Sequence, residues 1–215
     1  MIDSYKHKGM RKILVNELRE KGISNERVLE AFYNVPRHFF LDRIFEKQAY
    51  SNMAFRIGAN QTISHPYTVV FQTQLLEIKK GEKVLEIGTG SGFQTAVLCE
   101  LGAKVFSIER QRELYLKAKP LLYKLGYKPT LKYGDGYKGW EVFAPFDKII
   151  ITCGAPYIPE DLIKQLKVGG KMVIPVGEGE EQEMVFIVKK DENGECDIYN
   201  KGVFKFVPML KNIEK

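Results

Sequence analysis

The sequence predicts an α/β fold: a mostly parallel sheet with helices on both faces, an antiparallel edge, and an N-terminal helical extension. Three observations carry this. From residue 82 onward, short apolar runs of strand character alternate with helix-like segments. A glycine loop, Gly88-Thr89-Gly90-Ser91-Gly92, joins one strand-like run directly to one helix-like run. The last two strand-like segments are separated only by the charged turn Asp191-Glu192-Asn193-Gly194, which suits a hairpin rather than a helical crossover.

Residues 9–20 and 25–33 read as helices, with Ser24 or Asn25 as N-cap of the second. Val35-Pro36 ends that helix, because a residue before proline avoids the α region. Residues 37–66 show no clear periodicity and several aromatics, as expected of a connecting layer wrapped on the core. Residues 68–78 present Val69, Val70, Gln72, Leu75 and Leu76 at helical spacing. Strand 82–87 then precedes helix 93–101, strand 104–109 precedes helix 112–125, and strand 130–133 precedes the turn Gly134-Asp135-Gly136. Strand 147–152, helix 159–166, the turn Gly169-Gly170 and strand 171–176 follow, with strands 184–190 and 200–207 closing the chain. Residues 1–66 are expected to form the extension and 67–215 the main domain, the whole packing as one compact unit.

Ligands of such sheets bind beyond the carboxyl ends of the strands. Glycines let the backbone turn tightly and approach a ligand, and the free N–H groups at a helix start suit a polar or anionic group. The dinucleotide fingerprint requires a third glycine where this chain has Phe93, so the loop reads G-x-G-x-G. Glu109 ends the next strand, about 20 residues beyond the first glycine, where a carboxylate that holds ribose hydroxyls is expected. Glu86 adds a second carboxylate just before the loop, which disfavours a pyrophosphate. S-adenosyl-L-methionine, with ribose hydroxyls, an ammonium and a sulfonium but no phosphate, fits these residues.

Composition narrows the remaining classes. The formal charge is +6, and residues 104–138 hold nine Lys/Arg against three Asp/Glu. These cations are spread over a helix-like stretch rather than clustered with aromatics, which reads as a solvated face and not a nucleic-acid platform. Cys99, Cys153 and Cys196 form no C-x-x-C pair, and His7, His38 and His65 no metal-ligand spacing, so neither a disulfide framework nor a metal site is expected. The first 20 residues are polar and no apolar run approaches the ~20 residues of a membrane span. A soluble, cytoplasmic monomer without membrane or specific nucleic-acid partners is the expectation.

Several segments, in order, resemble the protein-L-isoaspartate O-methyltransferases over nearly the whole chain. Val35-Pro36-Arg37-His38-Phe39-Phe40 is similar to that family's N-terminal signature, and Gln61-Thr62-Ile63-Ser64-His65-Pro66 to its distinctive motif before the first strand. Val84 to Gly92 matches the cofactor loop and Gly134-Asp135-Gly136 the adenine-side turn. Gly154-Ala155-Pro156, residues 163–170, Val173-Ile174-Pro175-Val176-Gly177 and Phe206-Val207-Pro208-Met209-Leu210 resemble its C-terminal half. His65 and Cys153 depart from the family's small or amide residues. Solvent exposure is the expectation for His65, and a buried small hydrophobe for Cys153.

The resemblance implies a Rossmann-like class I methyltransferase that moves a methyl group from S-adenosyl-L-methionine to the free α-carboxylate of L-isoaspartyl residues in damaged peptides and proteins. S-adenosyl-L-homocysteine would be the by-product. It implies Glu86, Gly88, Thr89, Gly90, Ser91, Gly92, Glu109, Arg110, Asp135 and Gly136 as cofactor residues, Gln61, Thr62, Ile63 and Ser64 as substrate residues, and Ser64 as the catalytic or positioning group. A carboxylate is ionised at neutral pH and needs no general base, so orientation carries the catalysis, and no Asp–His or Cys–His pair is required. The competing role for Ser64 is that of helix N-cap before Pro66.

Two rival functions share the scaffold. An amino-directed nucleic-acid methyltransferase needs an Asp/Asn-Pro-Pro-aromatic stretch, whereas this chain reads Thr152-Cys153-Gly154-Ala155-Pro156-Tyr157. A cytosine-C5 enzyme needs a thiolate, for which Cys153 is the candidate by position, yet no neighbouring cation lowers its pKa. The second rival is a non-catalytic S-adenosyl-L-methionine-binding module.

Overall fold

The structure, a computed structural model, describes residues 1–214. Helix α1 (Tyr5–Glu20) begins earlier than its apolar periodicity indicates, because Ser4 and His7 cap each other reciprocally. The Ser4 hydroxyl accepts from the His7 amide, and the His7 ring accepts from the Ser4 amide. An imidazole thus stands where the usual capping box has a carboxylate or amide, which hides the signal from pattern reading. Helix α2 (Glu26–Asn34) is capped by Asn25, whose side chain accepts from the Val28 amide, and it stops before Pro36.

Residues 37–66 hold more order than the sequence suggests. Two 3-10 turns, Arg37–Phe40 and Arg43–Gln48, lead to a hairpin of β1 (Phe55–Gly58) and β2 (Gln61–Ile63). Its turn residues Ala59 (φ 49) and Asn60 (φ 53) both lie in the left-handed region that two-residue hairpins require. Alanine is an uncommon choice there, so the hairpin gives little warning in sequence. Helix α3 (Pro66–Leu76) follows at once, with proline in its first turn.

The alternating half comprises β3 (Lys83–Ile87), α4 (Phe93–Glu100), β4 (Lys104–Glu109), α5 (Arg112–Lys124), β5 (Thr130–Tyr133), β6 (Phe146–Ile151), α6 (Glu160–Gln165), β7 (Leu166–Val176), β8 (Gln182–Lys189) and β9 (Cys196–Phe204). The main sheet runs β5-β4-β3-β6-β7-β8-β9. Its first five strands are parallel, and β8 and β9 are antiparallel to their neighbours. The chain leaves β3 toward β4 and β5, then returns to β6 on the other side of β3. That reversal opens the crevice in which such sheets bind ligands.

Strand alternation divides the core in two. Leu85, Ile87, Ile149, Ile151, Met172 and Ile174 pack on one face of the sheet, while Val84, Val105, Ile150 and Val173 pack on the other with helices α1 to α4. Each such fully buried aliphatic side chain contributes about 1.5–3 kcal/mol. The N-terminal segment is tied to this second layer through Phe32 and Phe40, whose rings meet Phe93 edge-on at 5.5 Å.

The C-terminal strand differs from expectation. Strand β9 ends at Phe204, and residues 205–209 turn back over the sheet's carboxyl end. There Gly154 donates to the Val207 carbonyl and Met209 donates to the Gly154 carbonyl. The glycine pair 169–170 is an excursion within β7 rather than a turn between elements, seen where the β6 pairing jumps from Leu166 to Lys171. Among the described residues no helix is long and apolar enough to cross a membrane.

Candidate active site

Two adjoining cavities open at the carboxyl end of β3. The first, about 570 Å³, is lined by Gln61, Thr62, Gly88, Gly90, Glu109, Arg110, Gln111, Leu114, Gly136, Thr152, Cys153 and residues 207–210. The second, about 320 Å³, is lined by Thr62, Ile63, Ser64, Val69, residues 88–91, Phe93, Gln94 and Thr152. Thr62, Gly88, Gly90 and Thr152 belong to both, so a group held in one faces a group held in the other.

The glycine loop makes this junction possible. Gly88 has φ 95, and a Cβ there would stand 2.5 Å from the Thr152 hydroxyl oxygen. That hydroxyl lies within reach of the Ile87 and Gly88 carbonyls and locks the loop to the end of β6. Gly136 forms part of the first cavity's wall, where a Cβ would collide with Ile87. Gly92 lines neither cavity: it starts α4 with φ 89, and its missing Cβ makes room for Leu122.

Glu109 is 4 % exposed and lines the first cavity. One of its carboxylate oxygens accepts from the Gly90 amide at 2.8 Å and the other from the Gln111 amide at 2.7 Å. Burial pushes its pKa up, and the backbone N–H groups of Gln111, Gly90 and Arg110 oppose that rise. Each oxygen keeps a second lone pair, so the carboxylate can still take a pair of hydroxyls.

Glu86 is placed differently from expectation. It is fully buried and lines neither cavity. Two-residue alternation puts it on the same face of β3 as Val84, beneath α4, where Thr95 donates to it at 2.5 Å. Burial pushes its pKa up to about 8, partly offset by the hydroxyls of Ser107 and Thr95. Asp135 also stands back from the first cavity. Its two oxygens accept from the amides of Tyr137 and Asn212, each at 2.9 Å, and only its neighbour Gly136 reaches the wall.

The other predicted residues divide between the cavities. Arg110 lines the first, and its Nε donates to the Asn212 carbonyl at 2.9 Å. Thr89 and Ser91 line the second, with the Thr89 hydroxyl 2.6 Å from that of Ser107. On the acceptor side, Gln61 and Thr62 reach the first cavity, and Thr62, Ile63 and Ser64 the second.

Ser64 is not the helix cap: the N-cap position of α3 is His65. Among the described residues the Ser64 hydroxyl has no hydrogen-bond partner, while its carbonyl accepts from Arg37 Nη2 at 2.9 Å. His65 is largely exposed, and partial burial of its ring, followed by the Arg37 charge, pulls its pKa down. The Cys153 thiol is pushed up to about 12 by burial and by Glu109, so it is not a thiolate at neutral pH.

Three contributors escaped the sequence reading. Arg37 acts from beneath Ser64. Gln94 lines the second cavity with its amide nitrogen donating to Thr73, which in turn donates to the Val69 carbonyl, leaving Gln94 Oε1 buried without a partner. The tail, finally, straps the outer edge of the first cavity: Glu214 donates to the Arg110 carbonyl and accepts from the Tyr133 hydroxyl. Away from the cleft, Asp3, His7 and His38 bring donor atoms within 4.8 Å of one another. Their rings stack at 3.9 Å, and all three are engaged, by Arg11, by Ser4 and Glu46, and by Tyr50. Stacked rings send their in-plane lone pairs side by side rather than toward one point.

Comparison with known proteins places the chain in a family. The sequence pattern of the family described as "Protein-L-isoaspartate(D-aspartate) O-methyltransferase" matches residues 9–214. A protein-L-isoaspartate O-methyltransferase of Christiangramia forsetii is 59% identical over 213 residues, covering 99% of each chain. That of Flavobacterium psychrophilum is 58% identical over the same share. A solved protein-L-isoaspartate O-methyltransferase superposes with a TM-score of 0.83 at 29% identity, over 92% of this chain and 65% of that one. A Plasmodium falciparum structure in complex with S-adenosyl-L-homocysteine has the same fold, with a TM-score of 0.81 at 23% identity over 96% and 99% of the chains. The chain belongs to the protein-L-isoaspartate(D-aspartate) O-methyltransferase family.

Proposed function

We propose that the two joined cavities divide the work of an S-adenosyl-L-methionine-dependent protein-L-isoaspartate O-methyltransferase, the first holding the methyl donor and the second the acceptor carboxylate. The enzyme methylates L-isoaspartyl residues of damaged proteins, the opening step of their repair. The observation that carries the division is the unpartnered Ser64 hydroxyl in a cavity that shares Thr62, Gly88, Gly90 and Thr152 with the cofactor cleft.

The residues of the first cavity suit the donor. Glu109 would hold the ribose hydroxyls, Gly88 and Gly90 the methionine portion, and Gly136 the adenine, with Asp135 behind it. When bound, S-adenosyl-L-methionine would supply an electrophilic methyl group on a sulfonium, with S-adenosyl-L-homocysteine as the neutral leaving group. Ser64 donates to one oxygen of the acceptor carboxylate and holds its other oxygen toward the shared wall. Thr62 and Ile63 fix the peptide beside it. Since the carboxylate is already ionised, the chain abstracts no proton, and orientation supplies on the order of 7–11 kcal/mol. Glu86 serves the loop from below as a neutral acid rather than touching the cofactor. The N-terminal 66 residues act as the acceptor-side wall of one compact unit, and the enzyme works as a cytoplasmic monomer.

Methyl transfer from labelled S-adenosyl-L-methionine to two peptides that differ only in L-isoaspartate or L-aspartate tests this. Label on the isoaspartyl peptide alone, released by mild base as methyl esters are, is the expected result. Label on neither peptide, with cofactor still bound, would sink it in favour of a binding module. Transfer to RNA would favour a nucleic-acid enzyme.

A further inference from the structure

The guanidinium of Arg37 is the most conspicuous charge that the mechanism leaves unused. It is wholly buried, at 0 % exposure, just beneath the acceptor loop. Nη2 donates to the carbonyls of Met53 at 3.1 Å and Ser64 at 2.9 Å. The group also lies 5.0 Å from the centroid of Phe93, the residue that opens α4 directly after the glycine loop. It therefore bridges the acceptor segment and the cofactor loop. Nε and Nη1 have no partner, and among the described residues no carboxylate forms an ion pair with it.

Such a cation is expensive. Removing a charge from water without a counter-ion costs several kcal/mol, and two carbonyls and an aromatic face return only part of that. A neutral amide would satisfy the same two carbonyls without the penalty. Arg37 itself lines neither cavity, but Ser64 and Phe93, which it touches, both line the second, so an anion bound there would serve as its counter-ion. The burden on it is visible in its pKa, pushed down to about 9 by burial. Its field also reaches His65, the neighbour of Ser64.

We propose that Arg37 is a positioning residue for the acceptor: it pins the Ser64 carbonyl to the cofactor loop, and its uncompensated charge makes the second cavity select an ionised carboxylate. This rests on the proposed function and adds to it the source of the acceptor's charge preference. Ser64 supplies one hydrogen bond, which a carboxamide could accept equally well. The buried cation is what separates a carboxylate from its neutral isostere. A charge enclosed in protein is also poorly screened by salt, unlike the lysines on the surface.

The test compares binding of two peptides in the presence of S-adenosyl-L-homocysteine, one with the isoaspartyl α-carboxylate and one with the α-carboxamide. In the wild type the carboxylate is expected to bind about 30-fold more tightly, the effect of one nearby charge at the effective dielectric of a buried site. Arg37→Met should reduce that ratio to about 3-fold or less, and Arg37→Lys, measured at about pH 6 where a buried ammonium keeps its proton, should retain most of it. Arg37→Met should lower kcat, since it leaves the Met53 and Ser64 carbonyls without their donor, and both variants should bind S-adenosyl-L-homocysteine within about 3-fold of wild type. The wild-type ratio should change less than about 2-fold between about 0.05 and 0.5 M salt. An unchanged ratio in Arg37→Met, an equal loss in Arg37→Lys at about pH 6, or a wild-type ratio that collapses with salt would each overturn the proposal. Should Arg37→Met fail to fold, the salt series and Arg37→Lys still decide. A wild type that methylates no isoaspartyl peptide would instead overturn the function itself.

Discussion

The two cavities are built by different means. The cofactor side is made of backbone at the ends of parallel strands: positive-φ glycines, amides that point at Glu109, and one threonine that locks β3 to β6. The acceptor side is made of side chains held by contacts between distant segments, as when Arg37 reaches the Ser64 carbonyl 27 residues away. On the proposed division, the first arrangement can be shared by any enzyme that uses the same donor, whereas the second would determine which acceptor is methylated. Damage to the first should therefore appear in cofactor affinity and damage to the second in acceptor turnover.

Gly88→Ala should have the largest effect. A Cβ at 2.5 Å from the Thr152 oxygen, on a backbone with φ 95, forces the loop to move and combines strain with lost contacts. A fall in kcat/KM of about 10²–10³, arising mainly from cofactor affinity, is expected from steady-state kinetics and calorimetry. If cofactor affinity held and only acceptor turnover fell, the two halves would not be separable in this way.

Glu109→Gln ranks next. Its amide would turn an N–H donor toward the Gly90 or Gln111 amide and lose an acceptor for the ribose. Cofactor Kd should rise by about 10–100-fold, with acceptor KM unchanged at saturating cofactor. A shift in acceptor KM alone would move Glu109 to the other half.

Glu86→Gln sharpens the contrast from beneath the loop, with an effect on stability alone. The folded-state pKa of Glu86 is raised to about 8, above the carboxylate's ordinary value. Its stabilising contribution is therefore fully present below the unfolded pKa and is lost progressively as pH rises through about 8. The glutamine variant should lack this decline, overtaking wild type by about 1–3 kcal/mol at pH 8 in denaturant melts while binding cofactor normally. A weakened cofactor Kd would return Glu86 to the cofactor's contacts. Cys153→Ala should do least, leaving activity within about 2-fold, because a thiol held protonated by burial is not a nucleophile.

The same division explains what could be read from the chain alone. The strands and helices after residue 82 were legible because apolar period and glycine loop agree locally, and Glu109 followed from its place at a strand end. Glu86 was misplaced because proximity in sequence to the loop says nothing of which face of β3 a side chain occupies. Strand alternation with Val84 held the answer. Asp135 was read as a direct contact, but it stands back from the first cavity and only its neighbour Gly136 reaches the wall. Arg37 was legible only as part of a recurring motif, since no local pattern shows that a residue after a helix-ending proline will be carried beneath a serine in another segment. The Ala59-Asn60 hairpin and the Ser4–His7 cap were missed because each uses an unusual residue for a common geometry.

The most direct test of the division is Ser64→Ala, measured as S-adenosyl-L-homocysteine affinity and as kcat for an isoaspartyl peptide at saturating cofactor. A loss in kcat of about 10²–10³, as for removal of one positioned donor, with the cofactor Kd unchanged is the predicted result. Wild-type turnover, or a parallel loss of cofactor affinity, would contradict it.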